Sequence, residues 1–315
     1  MTLSLVRNLT AYEAIKTLSE EQKYPVWKLC KFLHITRSAY YRWLKQPKSA
    51  SELDNERIAG EILKIHEARP AMGYRRIRDE LYRNHSIHVN DKRVLRINRT
   101  LNIKSTIKFR RQGCTKSSKD PEHIAKNYLN RKFHADAPNM KWLTDVTEFK
   151  YTLQGNGDYI IRKVYLSAIL DLYDKRIVSY VISSHNDSKL AFDTFYAAVA
   201  TAPNARPLFH SDRGAPYTSR AFNQKLKKLG MKQSMSRIAR CLDNGPMEGF
   251  WGIIKREMYY GYKFHSRDQL VNAISDYIHY YNYQRFQRRL SIMAPMEYHD
   301  YYYMAKDSEE KVPAA

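Results

Sequence analysis

The run Met140-Lys-Trp-Leu-Thr-Asp-Val-Thr-Glu-Phe-Lys-Tyr-Thr-Leu153 alternates apolar with polar residues and is rich in β-branched side chains. That is the pattern of a half-buried strand. A Gly155-Asn-Gly157 turn leads into Asp158–Leu172, which contains Tyr-Ile-Ile-Arg-Lys-Val-Tyr-Leu-Ser-Ala-Ile-Leu, and Arg176–Ser184 reads as a third strand. The rhythm then changes to a helix at Ser188–Ala200, a strand at Arg206–Ser211, a helix at Ser219–Leu229, a strand near Lys232–Ser236 and a long helix after Asn244. Three strands, helix, strand, helix, strand, helix predicts an α/β unit: a mixed sheet with helices on its faces. A helix at Ser266–Tyr283 and a Tyr- and Arg-rich tail to Ala315 close the chain.

Upstream of this unit the apolar period is helical. Pro25–Leu44 reads as two short helices broken at Ile35-Thr36, with Thr36 as the cap of the second and Arg37, Ser38 and Arg42 on its polar side. It is either a helix-turn-helix whose second helix enters a major groove or a plain helical hairpin. Further helices are expected at Arg57–Glu67, Tyr74–Arg83 and Asp91–Leu101, the last capped by Asn90 and the last two rich in basic residues such as Arg75, Arg76, Arg93 and Arg96. Few acids accompany them, which favours phosphate contact over a merely solvated face. Lys104–His123 loses the apolar period and is polar and basic, as in a linker. The expected partition is 1–50 and 51–103 for two helical DNA-binding units, 104–137 for the linker, 138–265 for the mixed sheet and its helices and 266–315 for the closing helix and tail.

The charge balance narrows the partner. Across 315 residues, 54 Lys and Arg face 32 Asp and Glu, a net +22; residues 1–140 hold 29 basic and 14 acidic side chains. An excess of this size favours a polyanion, since each phosphate neutralised releases counterions. There is no apolar run of about 18 residues and no signal-peptide pattern at Met1–Thr10, so a cytoplasmic protein is expected. Cys30, Cys114 and Cys241 are widely spaced and without C-x-x-C pairing, so neither a disulfide framework nor a zinc site is indicated.

Three acids stand where chemistry can use them. Asp145 lies within the first strand, Asp212 ends the fourth in His210-Ser-Asp-Arg-Gly214, and Glu248 opens the late helix with 35 residues between it and Asp212. In that helix Pro246 suits the first turn, Asp243 or Asn244 the cap, and the dipole favours an ionised Glu248. At about 100° per residue, Met247, Trp251, Ile254 and Met258 share an apolar face, while Glu248, Gly252 and Lys255 share another. Gly252 then leaves room for a backbone to approach beside Lys255. If the first and fourth strands are neighbours, the carboxylates meet, and divalent cations would relieve their repulsion. Two such ions about 3.5–4 Å apart serve phosphoryl transfer without a covalent enzyme nucleophile; carboxylates suit Mg²⁺ or Mn²⁺.

The segments Lys141-Trp-Leu-Thr-Asp145-Val-Thr, His-Ser-Asp212-Arg-Gly and Asp-Asn-Gly-Pro-Met-Glu248 with Lys255 closely resemble the catalytic core of the retroviral-integrase superfamily, specifically the DDE transposases of the second open reading frame of bacterial insertion sequences. Gly73-Tyr-Arg-Arg-Ile77 matches their helix-turn-helix region, and Tyr277-Ile-His-Tyr-Tyr-Asn282, Arg285, Leu290, Pro295 and Tyr298 match their closing segment. The resemblance covers about residues 25–300. It implies an RNase H-like core binding Mg²⁺ through Asp145, Asp212 and Glu248, cleavage at element ends, and joining of the freed 3′-OH to target DNA by direct transesterification. It also implies that Lys255 contacts DNA near the metal. Double-stranded DNA, both terminal repeats and target, is the implied partner, with a homo-oligomer assembled on it. In related systems an upstream-frame product is fused to the enzyme; no sustained heptad run for such pairing is present here. Gly249 stands where the family more often has a small polar residue. Two rival readings are a non-catalytic regulator that binds element ends and an RNase H-type nuclease that hydrolyses without joining.

Overall fold

A computed structural model describes residues 9–45, 49–108, 122–155, 158–237 and 240–310. The central part of the expected linker, the tip of the Gly155–Gly157 turn and Cys114 lie outside the described residues. The chain divides into two compact units, Met1–Glu61 and Ile62–Ala315. No helix among the described residues is long and apolar enough to cross a membrane.

The first unit holds three helices where two were expected: α1 (Leu9–Glu21), α2 (Val26–Phe32) and α3 (Arg37–Lys45), followed by the start of α4 (Ala50–Ala68). Its core is Tyr12, Ile15, Cys30 and Tyr40, with Trp43 packed against them. Tyr12 stacks on Trp43 at 5.4 Å between ring centres. Helix α1 therefore completes an apolar core that a bare hairpin would leave open. Thr36 caps α3 as its sequence predicts, accepting from the Ala39 N–H at 3.4 Å.

In the second unit, α5 (Tyr74–Asn84) and α6 (Asp91–Thr100) precede the sheet. Asn90 caps α6 through the Arg93 N–H at 2.8 Å. The five strands are β1 (Lys141–Gly155), β2 (Asp158–Asp171), β3 (Ile177–Ser183), β4 (Leu208–Ser211) and β5 (Lys232–Met235), in the order β3-β2-β1-β4-β5. β1–β2–β3 form an antiparallel meander, while β4 and β5 add in parallel beside β1. This is the RNase H-like mixed sheet.

Alternation along the strands sorts two cores. Leu143, Phe149, Leu166 and Ala168 face α9 (Gly245–Ile254) and α10 (Arg267–Tyr283), meeting Met247, Phe250, Ile254 and Ile274. Trp142, Ile169 and Phe209 face α7 (Ser188–Thr201) and α8 (Arg220–Lys228), meeting Phe195 and Phe222. Asp187 and Ser219 cap α7 and α8 at 3.0 and 3.2 Å.

The part of the expected linker from residue 122 onward packs on this sheet. Leu129 is buried in its core, and the Tyr128 and Leu129 N–H groups donate to Ser234 Oγ at 3.0 and 3.1 Å. The helices of residues 62–103 and the closing segment also belong to this one unit, joined by arginines. Arg288 spans Asp79 and Asp91 at 2.9 and 2.7 Å. Arg83 pairs with Glu297 in α11 (Pro295–Glu310). Arg69 lies 3.8 Å above the Tyr280 ring.

Candidate active site

β1 and β4 run parallel, with Lys141, Trp142 and Leu143 opposite Leu208, Phe209 and His210. Continuing that register by two residues sets Asp145 beside Asp212, which follows β4 directly. Asp145 shares its strand face with Leu143 and Phe149, the face that α9 covers. Burial, and then the Asp212 charge, push the Asp145 carboxyl up to about 7, with a smaller contribution from Glu248. Burial also raises Asp212, while the Gly214 N–H, donating to its Oδ1 at 2.8 Å, opposes this. A side chain at 214 would place its Cβ 3.0 Å from that oxygen, close enough that the Asp212 carboxylate would have to shift by a few tenths of an ångström.

Glu248 stands in the first turn of α9, one turn after Asn244. The capping expectation fails. Neither Asp243 nor Asn244 caps this helix through its side chain. Asp243 is fully buried and pairs with Arg131 and Arg237, both at 2.8 Å, and accepts from Asn127 Nδ2 at 2.9 Å. The hydrogen bonds of Arg237 hold its carboxyl well below the usual range. Asn244 donates from Nδ2 to the Thr144 carbonyl at 3.1 Å, fastening the helix start to the residue before Asp145.

Trp251 is more than an apolar anchor. It is buried, yet its Nε1–H donates to Asp145 Oδ2 at 3.0 Å. Sequence periodicity assigned it to the apolar face because an indole counts as apolar by area, while its one N–H still needs a partner when buried. Gly214 and Asn244 were similarly missed as site-forming residues; the Asx-type spacing of Asp212 and Gly214 was the available signal.

The other predicted residues fall into distinct settings. α9 ends at Ile254, and Lys255 opens a π-helical turn, Lys255–Tyr259. Lys255 Nζ lies 5.5 Å from the centre of the Phe149 ring. Burial lowers its pKa, while Asp145 and Glu148 oppose the shift. The opening over Gly252 is not vacant: a Cβ there would stand 2.8 Å from Arg256 Nη1. Arg37 and Arg42 are exposed on α3, and Arg75 and Arg96 on α5 and α6; Arg93 is half-buried. Arg76 departs from the expected outward face. It pairs with Glu257 at 2.8 Å and hydrogen-bonds Tyr280, so its charge is satisfied inside the protein. His210, beside Asp212 in sequence, is buried between the Ser234 and Ser236 hydroxyls at 2.9 and 3.1 Å. Burial pulls its pKa to about 4, leaving a neutral ring that joins β4 to β5.

Among the described residues, no three His, Cys, Asp or Glu side chains form a ready-made ion-binding cluster. The fit to a metal therefore rests on donor chemistry. Two adjacent carboxylates, both raised by burial and Asp145 also by the Asp212 charge, with a third carboxylate in electrostatic reach, suit a hard divalent cation with oxygen preference.

Comparison with known proteins points to one family. Residues 135–241 and 248–301 match integrase core domain families, and residues 52–111 match an HTH-like domain. The putative transposase InsK of insertion sequence element IS150 from Escherichia coli K12 is 36% identical over 295 residues, 93% of this chain and 100% of the relative. The insertion element IS600 uncharacterized 31 kDa protein from Shigella sonnei is 33% identical over 278 residues, 87% of this chain and 98% of that protein. Among solved structures, the HTLV-2 integrase catalytic core domain in complex with magnesium aligns with 52% of this chain and 98% of its own, at 21% identity and a TM-score of 0.40. By its integrase core, its HTH-like segment and its near full-length relatives, this chain belongs to the integrase-superfamily transposases of bacterial insertion sequences.

Proposed function

We propose that Asp145, Asp212 and Glu248 are the metal-holding catalytic residues of this DNA transposase. The observation that carries the reading is the β1–β4 register: it brings the two Asp together on the sheet face to which α9 brings Glu248. Magnesium, probed in practice also with Mn²⁺ and bound as two ions, would supply a polarised attacking oxygen and a stabilised leaving oxygen at the phosphodiester. The chain's own residues provide position. Trp251 directs one oxygen of Asp145, the Gly214 N–H directs one of Asp212, and Asn244 holds α9 against β1. Oriented donors of this kind reduce the reorganisation needed at the moment of reaction.

For DNA contact we propose Lys255 near the reacting phosphodiester, the exposed Arg37 and Arg42 of the first unit, and the exposed Arg75 and Arg96 with the half-buried Arg93 of the second; Arg76 is left to its internal pair. Two ends must be held for joining, so the working assembly is a homo-oligomer on DNA, with or without an upstream-frame product.

The test uses labelled element-end DNA with Mg²⁺ or Mn²⁺. The chain should join the 3′ end to target DNA, and Glu248→Gln should abolish joining while retaining end binding. Hydrolysis without joined product would establish the nuclease reading instead. Joining that survives Glu248→Gln would remove Glu248 from the site.

A further inference from the structure

Away from the carboxylates, a cleft of about 400 Å³ opens between the segment after His123, the end of α8 and the start of β5. Lys126, Lys227 and Lys232 converge on it, with Tyr128, Asn223 and His123 completing the lining that matters here. The three lysines come from three separate segments and all are exposed. Among the described residues, no acidic side chain lines the cleft. The acid nearest in sequence, Glu122, is turned to the start of α8, where it accepts from the Arg220 N–H at 3.1 Å.

A solvated charge run does not account for this arrangement. The last turn of α8 carries Lys225, Lys227 and Lys228, as the helix dipole favours. Lys225 lies instead 4.8 Å over the Tyr196 ring, while Lys227 turns into the cleft. Lys126 and Lys232 owe nothing to that dipole, and among the described residues none of the three cleft lysines is ion-paired. The walls are preformed. His123 N–H donates to the Thr218 carbonyl at 2.8 Å, and Asn223 Nδ2 donates to Gln233 Oε1 at 2.7 Å. Tyr128 is 46% exposed, with Lys232 Nζ 3.6 Å from its ring centre.

Converging cations, amides and an aromatic wall without a carboxylate are the chemistry that receives a phosphodiester with its sugar and base edge. Position fits as well. Leu208 pairs with Lys232 and Ser211 with Met235, so the cleft stands about 10 Å along the strands from the end that carries Asp212. A duplex engaged at the carboxylates, with a helical turn of about 34 Å, has backbone within reach.

We propose that this cleft is a second DNA-backbone site, holding a phosphodiester away from the reacting bond. The inference rests on the DNA-transposase reading. Its test is the binding of the full chain to an element-end duplex of about four helical turns, across a salt series, for the wild type, Lys227→Ala/Lys232→Ala and Lys306→Glu. The last two variants change net charge equally, and Lys306 is exposed on the later part of α11, far along the chain from the cleft. The cleft variant should keep the wild-type melting temperature but flatten the slope of log K against log salt by about 1.8, two phosphate contacts at about 0.9 each. Lys306→Glu should keep the wild-type slope. Equal slopes for the two variants overturn the proposal. So does saturable binding of a free deoxynucleoside monophosphate, lost in the cleft variant, while the duplex slope is unchanged; the cleft is then a nucleotide site. Failure of the wild type itself to bind or join the duplex would instead defeat the transposase reading.

Discussion

Glu257 offers the sharpest test of how the catalytic sheet is held to the helices before it. Its side chain is 7% exposed and pairs with Arg285 and Arg76, both at 2.8 Å, while accepting from the Tyr277 hydroxyl at 2.8 Å. Burial alone would raise its pKa, but the Arg285 charge and hydrogen bond, helped by Arg76, hold it down to about 2. A carboxyl that titrates at about 2 rather than about 4.5 is favoured as the anion by about 3 kcal/mol. Removing one partner of a buried pair independently costs about 3–5 kcal/mol, because the remaining charges stay desolvated. Glu257→Gln should therefore lower the melting temperature of this unit by roughly 6–20 °C, at about 2–4 °C per kcal/mol. The pH dependence has a definite sign. The folded pKa is depressed, so the contribution is complete above about 4.5 and is lost as pH falls from there toward about 2. Thermal melts at pH 7 and pH 3, followed by circular dichroism, measure both effects. The wild type should lose much of its advantage over Glu257→Gln at pH 3. A variant that melts within about 2 °C of wild type at pH 7, with an unchanged gap at pH 3, would refute the reasoning.

Three other outcomes follow from the site. Trp251→Phe keeps a ring beside Phe250 but removes the N–H to Asp145; a bond to a charged acceptor is worth about 1.5–3 kcal/mol, so strand transfer should fall about 10- to 100-fold. Wild-type joining by that variant in a timed gel assay would leave the indole as packing alone. Gly214→Ala should impair joining and weaken Mn²⁺ binding, measured by paramagnetic resonance, with little change in melting temperature, since the added Cβ meets Asp212 Oδ1 at 3.0 Å; unchanged Mn²⁺ affinity would count against that contact. His210, buried with a pKa near 4 instead of 6.5, favours the folded state fully above about 6.5 and loses that contribution, about 3 kcal/mol, as pH falls to about 4. Urea midpoints for wild type and His210→Gln should converge on acidification over that range; parallel curves would show that the ring titrates normally.

The order of strands and helices was legible because each buried element declared its period. β1 and β2 alternate, and α9 shows its apolar stripe, since faces are set by hydrophobic burial that composition records. Asp145 and Asp212 were legible as a pair only on the condition that β1 and β4 are neighbours, an adjacency that the structure supplies. What escaped is directional. Nothing in the local pattern says that Asp243 turns from helix capping to Arg131, which lies 112 residues earlier, or that Arg76 turns inward to Glu257. Such pairings depend on which charged groups the fold brings together in a desolvated place. A helix with one basic face reads the same whether its arginines meet phosphate or carboxylate. Helix α1 was missed because its core partners Cys30 and Tyr40 lie in the helices that follow.

The polar fastenings of α9 explain why an apolar stripe alone would not place Glu248. Burial of Met247, Phe250 and Ile254 fixes which side of the helix meets the sheet, but it is non-directional, and a slide along the axis would cost little contact area. Hydrogen bonds are intolerant of such a slide. Asn244 grips the Thr144 carbonyl ahead of Glu248, Trp251 grips Asp145 behind it, and past the π turn Glu257 is locked by Arg285 and Arg76. The first two bonds end on adjacent residues of β1, so any axial shift of the helix strains both together. The carboxylate of Glu248 lies between them in sequence. Its height above the sheet is thus set by groups that read the position of Asp145 itself, and the third fastening ties that height to α5, where Arg76 begins.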